Sequence, residues 1–315
     1  MAIEVPRINL KDYREGAPAD RAKFIQTVGN GLKDIGFLNV TGHGLDPQLI
    51  ENAYSLFREF FAMDESIKNK YDQVAGGARG YTPFGREHAK DTTIPDLKEF
   101  WHIGQELPAG HPYKPQYPDN IWPQELPDLK PTSVALYKAF EDCAATLLEA
   151  VALYFELPAT TFSDMIQDGN SVFRIIHYPP LAPDTPPGAV RAAAHEDINL
   201  ITLLIESKGG GLEILTQNGN WMPVGALAGD IIVDSGDMLS RVTNGIIPAT
   251  THRVVNPPQD KNESRYSMPF FVHPYSACDL TVLDRFVTED RPPKWPPITA
   301  GEFLEQRLNE IGLKS

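Results

Sequence analysis

Ala194-His195-Glu196-Asp197-Ile198-Asn199-Leu200-Ile201-Thr202-Leu203-Leu204-Ile205 carries both the architecture and the chemistry of this chain. Its second half, over 200–206, reads as a short strand. Similar β-rich runs recur at 172–178, 189–193, 212–215, 230–234, 250–255 and 266–272, with turn residues between them. Many short strands at this spacing indicate a sandwich or barrel rather than a parallel α/β sheet. In the first half, His195 and Asp197 stand two residues apart. An extended segment points such residues to one face, so both can meet one ion while Glu196 points away.

His252-Arg253-Val254 lies far enough downstream to cross the β core and return a third ligand. Two imidazoles and one carboxylate on one face of an octahedral ion make the facial triad of non-haem Fe(II) oxygenases. Three positions stay open for chemistry. Arg265-Tyr266-Ser267 follows, and its Arg and Ser present a charged fork and a hydroxyl in one direction. Arg265 shares its run with apolar Met268 and Phe270, so the spacing predicts a buried guanidinium that needs an anionic partner. A dicarboxylate co-substrate would be one. On these residues alone a zinc hydrolase stays open, since His and Asp also bind zinc, and so does a non-catalytic small-molecule binder.

Upstream, Val5 to Leu10 reads as a strand and Asp20 to Ile35 as an amphipathic helix, with Phe24, Val28, Leu32 and Ile35 on its apolar face. A strand over 36–40 ends at the turn Thr41-Gly42-His43-Gly44. Helices are predicted over 47–63, 131–157 and 300–311. The segment from about Asp72 to Pro127 is irregular and too long for an ordinary connection, and its aromatics point to an ordered functional loop. From it come the candidate substrate-facing residues Tyr81, Phe84, Arg86, Phe100, Trp101 and His102, joined by His273 and Tyr275 after the last strand. Residues 1–130 and 131–315 are expected to form two regions packed as one unit.

Composition narrows the partners. A net charge of −14 argues against a sequence-independent grip on nucleic acid or anionic membrane. No stretch approaches the length of a membrane span, and no basic start precedes an apolar run. The two cysteines, Cys143 and Cys278, have no metal-ligand spacing. A cytoplasmic enzyme acting on a small molecule, as a monomer or homodimer, is the expectation.

Taken in order, these motifs resemble the Fe(II)- and 2-oxoglutarate-dependent dioxygenases of the isopenicillin N synthase-like group over nearly the whole chain. The resemblance runs through residues 5–10, 36–44, Tyr178-Pro179-Pro180, 194–197, Ser235-Gly236-Asp237-Met238-Leu239, Thr243-Asn244-Gly245, His252-Arg253-Val254 and Arg265-Tyr266-Ser267. It implies a mainly β fold with flanking helices: a double-stranded β-helix, or jelly roll, under a helical N-terminal layer. It implies His195, Asp197 and His252 as iron ligands. Arg265, Ser267 and Tyr178 are implied to hold 2-oxoglutarate, and O2 is the oxidant. Hydroxylation, desaturation or ring closure, with release of succinate and carbon dioxide, is the implied reaction; a same-fold oxidase that does without 2-oxoglutarate is the nearest alternative. Gly236-Asp237 and Asn244 read as fold and turn determinants. One departure stands out: Ile176 and His177 occupy positions where plant relatives often carry Asn and Tyr, and Ile176 cannot donate a hydrogen bond to the co-substrate.

Overall fold

The computed structural model of the chain describes residues 4–73, 78–87, 94–205, 210–225 and 229–310. Strand β1 (Arg7–Asn9) leads into helices α1 (Leu10–Arg14) and α2 (Pro18–Asp34), strand β2 (Phe37–Thr41), and helices α3 (Pro47–Phe61) and α4 (Glu65–Lys68). Strands β3 (Gly80–Thr82) and β4 (Glu99–Gly104) precede α5 (Leu129–Tyr154) and α6 (Ser163–Ile166). Then come β5 (Val172–Tyr178), β6 (Ala192–His195), β7 (Ile201–Ile205), β8 (Leu212–Leu215), β9 (Trp221–Pro223) and β10 (Ile231–Ser235). Helix α7 (Asp237–Val242), strands β11 (His252–Val254) and β12 (Arg265–Val272), and helix α8 (Ala300–Glu310) complete the described chain.

Eight strands join in the order β1-β2-β10-β7-β12-β5-β4-β3, and four more in the order β6-β11-β8-β9. The resulting architecture is the expected jelly roll with flanking helices. One face of the large sheet packs on the helices: Phe140 of α5 stacks on Phe270 of β12, with centroids 5.1 Å apart. The other face meets the small sheet, where Ile232 packs in one apolar cluster with Ala192, Leu212, Ile214 and Val254. The N-terminal strands flank the C-terminal ones in the large sheet, since β2 pairs with β10 at one side and β4 with β5 at the other.

Helix boundaries follow local chemistry. Pro47 stands at the first turn of α3, where its missing N–H is harmless, and the Asp46 carboxylate caps the Gln48 N–H at 2.9 Å. The expected strand over 189–193 instead forms as β6 over Ala192–His195, because that is where β11 offers partners: Val254 opposite Ala192 and His252 opposite His195. Strand β4 lies inside the segment that reads as irregular. All six of its residues are buried, so it shows no alternation, and buried Glu99 and His102 disguise it as polar loop. Short β9 and α7 also lie outside the expected pattern. The last expected strand residue of the 200–206 run, Glu206, and the last of the C-terminal helix, Ile311, lie outside the described residues.

Candidate metal and co-substrate site

Three elements of the small sheet and its neighbour converge on one point. His195 ends β6, Asp197 follows two residues on, and His252 starts β11 directly opposite His195. His195 Nε2 lies 3.8 Å and His252 Nε2 3.9 Å from the same Asp197 oxygen, Oδ1. All three ligand atoms fall within 4.8 Å of one another. Two metal–ligand bonds of about 2.0–2.2 Å reach up to about 4.4 Å between ligand atoms, so the 3.8 and 3.9 Å separations admit a single central ion.

The ring orientations suit such an ion. His195 Nδ1 is 2.7 Å from the Ala193 carbonyl and His252 Nδ1 3.1 Å from the Thr250 carbonyl. Each carbonyl accepts an Nδ1–H, which leaves the Nε2 lone pairs facing inward. Burial and the neighbouring His252 lower His195 to about 4, although Asp197 pulls it upward. Its side chain is still 38% exposed, so one edge of the centre opens to solvent. Asp197 is oriented from behind: Asn199 Nδ2 donates to Thr202 Oγ1 at 2.8 Å, and that hydroxyl donates to Asp197 Oδ2. Oδ1 is left to face the histidines.

The Gly236-Asp237 motif holds this loop in place. The Asp237 N–H donates to the Asp197 carbonyl at 2.7 Å, and a Cβ on Gly236 would come within 2.4 Å of the Asn199 carbonyl oxygen. Only glycine permits that approach. Asn244 sits at φ 55°, and its Nδ2 donates to the carbonyls of Phe286 and Pro292. Both motifs therefore do the structural work expected of them. Glu196 points away, accepting from Thr251 Oγ1 at 2.9 Å.

Arg265 and Tyr178 are cross-strand partners, as are Ser267 and Ile176. Alternation along β12 and β5 thus delivers Arg265, Ser267, Tyr178 and Ile176 to the cavity that holds the triad. Arg265 is only 1% exposed, its Nε donates to the Gly210 carbonyl at 3.0 Å, and its Nη1 has no partner among the described residues. Its guanidinium lies 5.1 Å from the centre of the Tyr178 ring. Buried Arg191, whose Nε is likewise unpartnered, stands 5.9 Å from the same ring. Burial, and then the Arg265 charge, lower Arg191. Two buried guanidiniums with orphaned donors at one corner fit an anion with several oxygens.

None of the eight expected substrate-facing residues lines this cavity of about 70 Å³. Tyr81 donates to Glu99, and Trp101 is sealed edge-on under Phe60, with centroids 4.7 Å apart. Phe100 packs on Ile176 and Tyr178 behind the wall, and His102 accepts from Arg174 Nε. Phe84 is exposed, and Arg86 is paired with Asp72 on the surface. His273 is buried, with Nδ1 3.2 Å from the Phe271 carbonyl, and Tyr275 stacks on Tyr113. Aromatic enrichment in that segment served packing and hydrogen bonding. The wall is made instead by Lys98, Arg174, Leu204, Pro269 and Phe271, with Asp234 beside Asp197. Burial and the Asp197 charge push Asp234 well above the carboxylate range. Lys98 and Arg174 belong to no motif; the alternation of β5 and β12 around Tyr178 and Arg265 was the signal that could have found Arg174 and Phe271. A larger groove of about 490 Å³, lined by residues of 214–218 and 248–251, contains none of the triad.

Comparison with known proteins agrees with this geometry. Residues 5–125 match the family model described as non-haem dioxygenase in morphine synthesis N-terminal, and residues 169–274 match the 2OG-Fe(II) oxygenase superfamily. A 2-oxoglutarate-Fe(II) type oxidoreductase of Aspergillus fumigatus is 31% identical, covering 91% of this chain and 87% of its own. A 2OG-Fe(II) oxygenase family protein from Caulobacter crescentus has a solved structure with a TM-score of 0.88 and 41% identity, covering 97% of this chain and 98% of that one. The full-length Neurospora crassa protein solved in complex with alpha-KG and thymine gives a TM-score of 0.85 at 28% identity, over 97% and 96% of the two chains.

Proposed function

Since the chain belongs to the 2OG-Fe(II) oxygenase superfamily, we propose that His195, Asp197 and His252 hold Fe(II) and that Arg265, Ser267 and Tyr178 hold 2-oxoglutarate. The activity is that of a non-haem Fe(II)- and 2-oxoglutarate-dependent oxygenase acting on a small molecule. The observation that carries the residue assignment is the unpartnered Nη1 of buried Arg265, in the same cavity as the three convergent ligand atoms. A carboxylate is the group that satisfies it.

When bound, the iron with 2-oxoglutarate and O2 supplies the oxidising chemistry that releases succinate and carbon dioxide. The protein's contribution is placement. His195 and His252 turn Nε2 toward the triad centre, Asp197 is turned by Thr202, and Arg265 with Ser267 would hold the far carboxylate of 2-oxoglutarate. The apolar wall of Leu204, Pro269 and Phe271 excludes water around the reacting C–H bond. No protein nucleophile or general base is required.

The order of the Tyr-Pro-Pro, His-x-Asp, Gly-Asp, His and Arg-x-Ser motifs supports placing the chain in the isopenicillin N synthase-like group. Hydrogen-bonded pairing of β2 with β10 and β4 with β5 supports residues 1–130 and 131–315 acting as one unit. No described helix is long and apolar enough to cross a membrane, and the two buried cysteines are free, which suits a reducing compartment such as the cytoplasm. We take the enzyme to act there as a monomer or homodimer.

The test is succinate release from 2-oxoglutarate by the purified protein, with and without Fe(II). Fe(II)-dependent succinate is expected. Oxygen consumption without succinate would sink the co-substrate assignment, and full activity with zinc in the absence of oxygen would sink the metal.

A further inference from the structure

Besides Arg265, the cavity wall carries two more cations. Lys98 precedes β4 and Arg174 lies in β5, and both line the cavity. They are fastened to a pair of buried carboxylates. Lys98 Nζ lies 2.6 Å from Glu87 and 2.8 Å from Asp96, and Arg174 grips Glu87 through both terminal nitrogens at 3.2 Å. Arg174 is also clamped between two rings, 4.3 Å from the centre of Phe100 and 5.2 Å from that of Phe271. Burial alone would lower Lys98, but the Glu87 and Asp96 charges outweigh it and hold the ammonium raised. Arg174 and Lys98 likewise outweigh the burial that would raise Glu87.

The arithmetic of donors gives this cluster its meaning. Two cations face two carboxylates, so its charge is balanced. Among the described residues, Lys98 uses two of its three N–H donors and Arg174 three of its five. The carboxylates lie behind the cations, so what reaches the cavity is a fixed set of N–H donors on a neutral base. Such a surface accepts oxygen acceptors without requiring a full negative charge, and it repels an ammonium group, which finds no acceptor there. Phe271, whose ring packs against Arg174, adds apolar surface beside it together with Leu204 and Pro269, and the small cavity suits a compact occupant.

We infer that Lys98 and Arg174 form the substrate-orienting subsite, and that the substrate is a compact molecule presenting a carbonyl or carboxylate oxygen to them. The inference rests on the oxygenase reading, because it takes Arg265, Ser267 and Tyr178 of the same cavity as the 2-oxoglutarate residues. Lys98 lines the same cavity as His195, Asp197 and His252. An oxygen held by Lys98 therefore fixes the substrate beside the triad.

The experiment is calorimetry on the full-length protein loaded with Fe(II) and 2-oxoglutarate, oxygen excluded. The probes are para-toluate, para-toluamide and para-methylbenzylammonium, which share a ring and a methyl group and differ in the polar end. The acid and the amide should bind, and the ammonium probe at least about tenfold more weakly. Lys98→Met should weaken the first two about tenfold, the loss of one charge-assisted bond. Lys98→Arg should keep the selectivity. Equal binding of all three probes, silence from both oxygen-bearing probes, or unchanged binding in Lys98→Met would each overturn the subsite. So would a Lys98→Met loss confined to 2-oxoglutarate affinity, which would hand Lys98 to the co-substrate. If Lys98→Met does not unfold cooperatively, the wild-type selectivity and Lys98→Arg decide. Fe(II)-dependent succinate release by wild-type protein without any probe separates the two readings. Its absence would remove the oxygenase itself, while its presence beside indifferent probe binding would remove only the subsite.

Discussion

Two groups of cations stand at the cavity, and their hydrogen bonding differs. In one, Arg265 Nη1 and the Nε of Arg191, near the same Tyr178 ring, lack partners among the described residues, and two imidazole Nε2 atoms converge on a single carboxylate oxygen. In the other, Lys98 and Arg174 are paired with Glu87 and Asp96 within the fold. Leaving a buried donor unmet costs about 1–3 kcal/mol, more if it is charged. A site that carries several such costs is built around a ligand that removes them. A site already neutralised by its own carboxylates shapes and orients its guest. On the proposed assignment, turnover depends on the first group, and the second selects the substrate.

The largest expected effect is at the triad. Asp197→Ala should lower Fe(II)-dependent succinate release by more than about a thousandfold, above 4 kcal/mol on the barrier, with the jelly roll still folded. Wild-type rates in this variant would break the assignment, and circular dichroism checks the fold. Next comes a buried charge that no ligand relieves. Burial pushes Glu141, on α5, up to about 7, despite the hydrogen bond from Gln105 at 2.8 Å. Its folded-state pKa is raised, so charging it opposes folding: stability contributed below the unfolded value near 4.5 is lost as pH rises through 7. Glu141→Gln should match wild type at pH 4 and gain about 1–3 kcal/mol at pH 8, read from denaturant midpoints at both pH values. A pH-independent difference would contradict this and weaken the contrast between strain held for a ligand and strain merely tolerated. The smallest effect is expected at Ser267→Ala, which removes one hydroxyl donor. It should raise the KM for 2-oxoglutarate about threefold to tenfold, roughly 1 kcal/mol. A loss in kcat alone would mean that the hydroxyl serves another group.

The same contrast explains what the sequence reveals. The co-substrate group is written in short-range code. His195 and Asp197 are two residues apart, Arg265 and Ser267 likewise, and strand alternation turns each pair to one face. Only His252 must be supplied by topology, and its β context shows in the run around it. The jelly roll is legible for the same reason, because most strands of 172–272 are short apolar runs bounded by turns, while β9, Trp221–Pro223, escapes the pattern. The selecting group is long-range code. Glu87 meets Arg174 from a segment with no periodic pattern, and Lys98 precedes a strand whose buried polar residues hide it. Nothing in the local residues of Phe100-Trp101-His102 says that Trp101 faces the helices while Phe100 backs the cavity wall. Aromatic content marked the segment as ordered, and tertiary pairing decided which of its side chains reach the cavity.

The most direct measurement compares the two arginines on one axis. The dissociation constant of 2-oxoglutarate is determined by calorimetry for Fe(II)-loaded wild type, Arg265→Met and Arg174→Met under anaerobic conditions. Loss of a charge-assisted pair at the orphaned guanidinium should weaken binding by about 10- to 100-fold in Arg265→Met. Arg174→Met should shift it by no more than about twofold, because its partners are Glu87, His102 and two rings rather than the co-substrate. Equal losses in the two variants, or a larger one at Arg174, would contradict the division of the cavity residues into a co-substrate group and a substrate group.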